Sequence, residues 1–135
     1  LGEERCERLS DELIAAIEQS MSRSEADIAE DKRIVDAVAR KLLSTLGDDG
    51  VLIMPTTPKT AFKRGEQAPP HSFDFTSIAN LAGLPALTLP VGLDLQGLPI
   101  GLQLIGPARG EALVMREARK IDEQMLGCKQ PTRFA

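Results

Sequence analysis

Apolar residues recur at helical spacing through the N-terminal part of the chain. Cys6, Leu9, Leu13, Ile14, Ile17 and Met21 fall on one face, which predicts an amphipathic helix over residues 3–21. Ser24 with Asp27 resembles a capping box and marks a new start, and Glu25 and Asp27 suit the positive end of a helix. Ile28, Val35, Val38, Leu42 and Leu46 then make a stripe down a long second helix, which Gly47 ends by supplying a left-handed residue. At "VLIM", Val51 to Met54, the period changes to a continuous apolar run, which predicts a short buried strand.

From Pro55 to about Phe73 the pattern disappears. Pro55, Pro58, Pro69 and Pro70 interrupt it, and the segment reads as a long loop that is either functional or a plain surface excursion. In "FDFTSIANLAGLP", Asp74 or Thr76 is a candidate cap for a short helix burying Ile78, Leu81 and Ala82. Gly83 ends that helix and Pro85 prevents its resumption. Two strands follow at about Ala86–Val91 and Ile100–Ile105, joined by "LDLQG" as a hairpin with Gly97 at the positive-φ position. The doubled Gly-Leu-Pro, starting at Gly83 and at Gly97, marks the two strand entrances. Both strands are apolar on both faces, so both sides of the sheet require cover. Gly110 and Glu111 open a last helix carrying Leu113, Val114, Ala118, Ile121 and Met125 and ending at Gly127, and the tail "CKQPTRFA" reads as irregular.

This order is an α/β fold, a partial mixed sheet with helices packed on both faces. So few strands beside so much helix leave at least one hydrogen-bonding edge bare, which natural chains normally cover. More sheet is therefore expected beside this one, from further polypeptide or from a second copy.

Composition narrows the function classes. A length of 135 residues suits a single domain, and 42% apolar with 27% charged residues excludes a disordered polymer. Four Phe and no Tyr or Trp make the core aliphatic and leave few stacking platforms for bases or sugars. The net charge is −4, and Lys59, Lys63 and Arg64 are too few to make a nucleic-acid footprint, so no nucleic-acid partner is expected. The longest apolar run, Leu84 to Leu93, is cut by Pro85 and Pro90 and falls short of the roughly 20 residues of a membrane span. Cys6 and Cys128 show no metal spacing and read as reduced thiols of a cytoplasmic protein. The chain begins at Leu1 with no signal-peptide pattern, and is expected to be a piece of something longer.

Catalytic motifs are scarce. His71 stands alone in the long loop, without the Cys, Asp or Glu spacing of a metal site, so no metal is expected. There is no Gly-x-Ser-x-Gly elbow, no phosphate loop and no dinucleotide fingerprint, so no cofactor is expected either. Asp48 and Asp49 read as a solvated turn. From the residues alone, no catalytic constellation is visible.

Four separated segments carry a resemblance. "VLIMPTTP", "FTSIANLAGLPALTLPVG", "GLPIGLQLIGP" and "GEALVMREA", in that order, resemble the C-terminal part of the amidase signature family over roughly residues 41–118. The resemblance implies an α/β/α sandwich with a large mixed sheet, and hydrolysis of small-molecule carboxylic amides. It also implies a Ser–cis-Ser–Lys triad and an oxyanion hole of backbone amides. Those reacting groups lie in a signature region preceding the part resembled here, and no serine or lysine of this chain matches them. No catalytic residue is carried over.

By the same resemblance, the whole of residues 1–135 reads as the C-terminal portion of one amidase domain, with a leading helix at 1–22 and a core at 24–135, inactive alone. It makes His71, Phe73, Asp74 and Phe75 candidate wall of a substrate pocket. In transamidosome-type relatives an acid recognises the substrate's amino group from the position where Phe73 stands, whereas here Asp74 directly precedes Phe75. Asp74 is thus either a helix cap or a substrate contact. Two other functions stay open: a non-catalytic module that self-associates as a homodimer through the helix at 3–21, and part of a glutamyl-tRNA amidotransferase A-like subunit with partner subunits.

Overall fold

The structure, a computed structural model, describes residues 9–125. Its elements run α1 (Asp11–Met21), α2 (Glu25–Leu46), β1 (Leu52–Pro55), α3 (Asp74–Ala82), β2 (Ala86–Leu93), β3 (Pro99–Ile105) and α4 (Glu111–Gln124). They fall into two compact units that meet between Val35 and Asp36, within α2. Expectations for residues 3–8, Cys6, Gly127, Cys128 and the tail lie outside the described residues.

In the first unit, α1 begins at Asp11 because Ser10 is its N-cap, with the serine oxygen accepting from the Leu13 N–H at 3.4 Å. The apolar spacing of Cys6 and Leu9 had concealed this local start. At the head of α2 the expected capping box is present. The Ser24 hydroxyl accepts from the Asp27 N–H at 3.2 Å, and the Asp27 carboxylate accepts from the Ser24 N–H at 3.3 Å. The serine hydroxyl also donates to that carboxylate at 2.6 Å, which holds the Asp27 pKa below its ordinary value. Along the apolar stripe of α2, Ile28 and Val38 are each 53% exposed, and Leu46 is the buried residue. Periodicity identifies the apolar face but supplies no partner for it.

In the second unit the three strands form an antiparallel sheet in the order β1-β3-β2. Leu52 faces Ile105 and Met54 faces Gln103 across one pair of strands, while Ala86 faces Ile105 and Leu87 faces Leu104 across the other. Side chains alternate across a strand, so Leu104 and Ile105 point to opposite faces. Both are fully buried. Ile105 packs with Leu46, Ala79 and Leu84, and with Leu42, Leu52, Met54 and Ile78 around them. Leu104 packs with Leu89 and with Val114 and Ala118 of α4. Helices thus cover the central strand on both sides, while Ile53 of β1 and alternate residues of β2 stay exposed.

The connections follow from local chemistry. Gly83 closes α3 in the left-handed conformation (φ 65°), with its own N–H on the Asn80 carbonyl and the Leu84 N–H on the Ala79 carbonyl. The β2–β3 hairpin turns at Gly97 (φ 79°), and Pro90 sits on β2, a strand with one outer edge, where its missing N–H is tolerated. Asp94 organises that turn. Its Oδ1 accepts from the N–H groups of Gln96 and Leu98 at 2.8 and 2.9 Å, and its Oδ2 accepts from the Thr60 hydroxyl at 2.8 Å. These bonds, that from Leu98 foremost, lower the Asp94 pKa, and the Thr60 bond ties the long loop to the hairpin.

This packing can be probed at two positions. A Cβ on Gly50 would lie 2.4 Å from the carbonyl oxygen of Leu46, so Gly50→Ala forces apart the end of α2 and the start of β1. It should cost about 1–3 kcal/mol in urea unfolding, and an unchanged midpoint would contradict that close approach. Because the folded Asp94 pKa is depressed, its contribution is complete above the unfolded value of about 3.9 and is lost as pH falls through the lower folded value. Asp94→Ala should therefore lower Tm at neutral pH, with the gap to wild type closing in acid; a gap constant with pH would remove the carboxylate from the turn's stability.

Candidate functional site

The segment from Thr56 to Phe73 contains neither helix nor strand, and the four candidate pocket residues stand at its far end. Pro69 and Pro70 restrict the approach. The Ser72 N–H and hydroxyl both donate to the Pro69 carbonyl, and the Asp74 N–H donates to the His71 carbonyl at 3.2 Å. These consecutive turns place His71 in the left-handed conformation (φ 64°), uncommon for a side-chain-bearing residue. They also bring its ring onto Asp74, with His71 Nδ1 2.8 Å from Asp74 Oδ2.

An ionised carboxylate only accepts, so this contact selects the tautomer with the proton on Nδ1 and leaves Nε2 as an acceptor in the neutral ring. Both side chains remain open to solvent, at 78% and 61% exposure, so the pair itself stabilises the fold by no more than about 1 kcal/mol. Its consequence is placement: an oriented imidazole and a carboxylate, side by side, beside the exposed ring of Phe73.

The capping role expected of Asp74 or Thr76 is not what the structure has. Phe73 is the N-cap of α3 and makes no side-chain cap bond; Asp74 is the first helical residue, turned back to His71. The Thr76 hydroxyl donates to the Phe73 carbonyl instead of receiving an N–H. As a first-turn carboxylate, Asp74 still suits the positive helix end. Phe75 is half-buried, and its backbone carbonyl accepts from the side-chain amide of Gln103 at 3.0 Å.

Gln103 falls within the "GLPIGLQLIGP" segment, among positions for which the sequence pattern implies packing and no site role. It lies on β3, on the same face as Met54 and Thr88, its register partners. That face is also crossed by Thr56 and Thr88, whose hydroxyls stand 3.5 Å apart over Gly101. A Cβ on Gly101 would lie 2.7 Å from the Thr56 hydroxyl, so the glycine makes room for that crossing. The available signal was a polar residue inside the otherwise apolar "GLQLI", in register with Thr88. Beside this face, Pro55, Thr57–Thr60, Pro99, Ile100 and Gly101 enclose an open hollow of about 250 Å³.

Among the described residues, no group of three or more His, Cys, Asp or Glu could hold a metal ion, and no helix is long and apolar enough to cross a membrane. Of the four candidates the structure thus brings together the His71 imidazole and the Asp74 carboxylate, while Phe73 is exposed and Phe75 is tied to the sheet through its backbone carbonyl.

Comparison with known proteins identifies the family. The Amidase family model matches residues 3–115. The A subunit of glutamyl-tRNA(Gln) amidotransferase from Halothermothrix orenii is 45% identical over 82 residues, covering 58% of this chain and 17% of the relative. Human fatty-acid amide hydrolase 2 is 28% identical over 122 residues, 90% of this chain and 23% of that protein. The crystal structure of the glutamyl-tRNA(Gln) amidotransferase A subunit from Thermotoga maritima superposes with a TM-score of 0.68 at 33% identity, covering 91% of this chain and 28% of that one. The chain spans about a sixth of the length of the first of these relatives. With the family pattern running through most of its residues and the α/β fold shared, this chain belongs to the amidase family, the amidase signature enzymes.

Proposed function

We propose that this chain is the C-terminal portion of an amidase that hydrolyses carboxylic amides to an acid and ammonia or an amine. Its own part is scaffold and pocket wall. The reacting Ser–Ser–Lys groups belong to another segment of the polypeptide, and the chain is inactive without them. Family membership over residues 3–115 carries this reading. The sheet supports it: β1 and β2 pair only with β3 among the described residues, which leaves both outer edges available for further strands. His71, Phe73, Asp74 and Phe75 form the substrate-facing wall, with the oriented Asp74 carboxylate taking a donor or cationic group of the amide substrate.

A second reading, part of a glutamyl-tRNA(Gln) amidotransferase A-like subunit, is favoured by the 45% identity to that protein of Halothermothrix orenii. It requires partner subunits and ammonia taken from glutamine. The displacement of the acid to Asp74 from the position of Phe73 argues for an amide other than glutamine.

The full-length polypeptide carrying this sequence should release ammonia or amine from simple carboxylic amides, and the 135-residue chain alone should not. Full-length protein inert on a broad amide panel, yet co-purifying with partner subunits and releasing ammonia from glutamine, would move the assignment to the second reading. Asp74→Asn in the full-length enzyme should raise KM for an amide bearing a free amino group about tenfold while sparing kcat. Unchanged KM would leave Asp74 only its helix-end charge.

A further inference from the structure

Gln103 is the buried polar side chain of the described core, 4% exposed, on the central strand of the sheet. Its amide reaches 28 residues back along the chain to the carbonyl oxygen of Phe75, at 3.0 Å. An amide nitrogen is needed to donate to a carbonyl, so the side-chain orientation is fixed by this partner.

The bond falls at a particular place on α3. The C-terminal half of that helix is held by apolar contact, with Ile78, Ala79 and Ala82 packed around Leu84 and Ile105. The N-terminal half places no fully buried residue in that core: Phe73 is exposed, Phe75 is half-buried, and the N-cap makes no side-chain bond. Among the described residues, the side-chain hydrogen bond that joins that end to the sheet is the one from the Gln103 amide. The residues it steadies are Asp74, one position before the bonded carbonyl, and through Asp74 the left-handed His71.

We propose that Gln103 is a positioning residue for substrate selection: it anchors the start of α3 to the central strand, so that Asp74 and His71 are presented in one geometry to the donor or cationic group of the substrate. This rests on the substrate contact proposed for Asp74. Gln103 touches no substrate and takes no part in bond making. Its removal leaves the Phe75 carbonyl only its place in the helix ladder and lets the first turn of α3 pivot about its apolar half, so the contact with the amino group loosens while the reacting centre is unaffected.

The test compares L-alaninamide with propionamide, matched in size and differing in the amino group, on the full-length enzyme. Gln103→Met keeps the volume and loses the donor. It should lower the preference for alaninamide about tenfold, through KM, with kcat on propionamide unchanged. Gln103→Glu, which keeps the length and places an acceptor against the carbonyl, should do the same. Val114→Ala, which hollows the core on the opposite face of the sheet, should lower Tm and keep the preference, so that instability by itself is separated from positioning.

Asp74→Asn separates the substrate contact from its positioning. If it abolishes the preference and neither Gln103 variant does, the positioning role is overturned and the Asp74 contact stands. If Asp74→Asn leaves the preference intact, the contact fails and the role of Gln103 fails with it. Loss of soluble protein in both Gln103 variants would also overturn the proposal and assign the residue to stability.

Discussion

The C-terminal half of the central strand β3 is buried on both faces and paired along both edges, and this constraint organises the second unit. Leu104 and Ile105 are adjacent, point to opposite sides and are both fully buried, so one helix layer cannot satisfy them. The end of α2 and the body of α3 close one side, and α4 closes the other. Close approach makes this possible where the strand leaves the sheet: a Cβ on Gly106 would lie 2.4 Å from a methyl of Val114. Any larger residue there would push α4 from the core it completes.

The same strand explains why the stretch with the doubled Gly-Leu-Pro carries so little chemistry. Its Gly-Leu-Pro copies start a hairpin whose side chains are used for packing, and its acid, Asp94, is used up in the turn and in the tie to Thr60. Where the sheet does become polar, at Thr56, Thr88 and Gln103, it does so on one face and toward the start of α3. Scaffold and site are therefore mechanically linked. The loop that bears His71 is fastened to the hairpin at Thr60, and the helix that follows it is fastened to the strand at Gln103.

Local rules served well where the physics is local. The Ser24–Asp27 box, the Gly83 stop and the Gly97 turn each involve a few neighbouring residues, and each is present as its sequence pattern implies. They failed where two local preferences compete. Asp74 is a strong capping type, yet a histidine three residues earlier offers a better partner once Pro69 and Pro70 have bent the approach. Ser10 starts α1 within a stretch whose apolar spacing continued through it. Along α2 the apolar period was clear, but exposure of Ile28 and Val38 depends on what lies against them, which periodicity does not encode.

The α/β class, the hairpin, the stops at Gly47 and Gly83 and the amidase family are legible in the residues alone, because each rests on periodicity, on residues restricted in φ, or on ordered motifs spaced along the chain. The sequence also marked the segment from His71 to Phe75. What those residues do to one another follows from the folded chain. The order β1-β3-β2 places Gln103 against a carbonyl far back along the chain, and consecutive turns set an imidazole on a carboxylate. Such contacts are chosen by register and by chain path, and a side chain's type constrains neither.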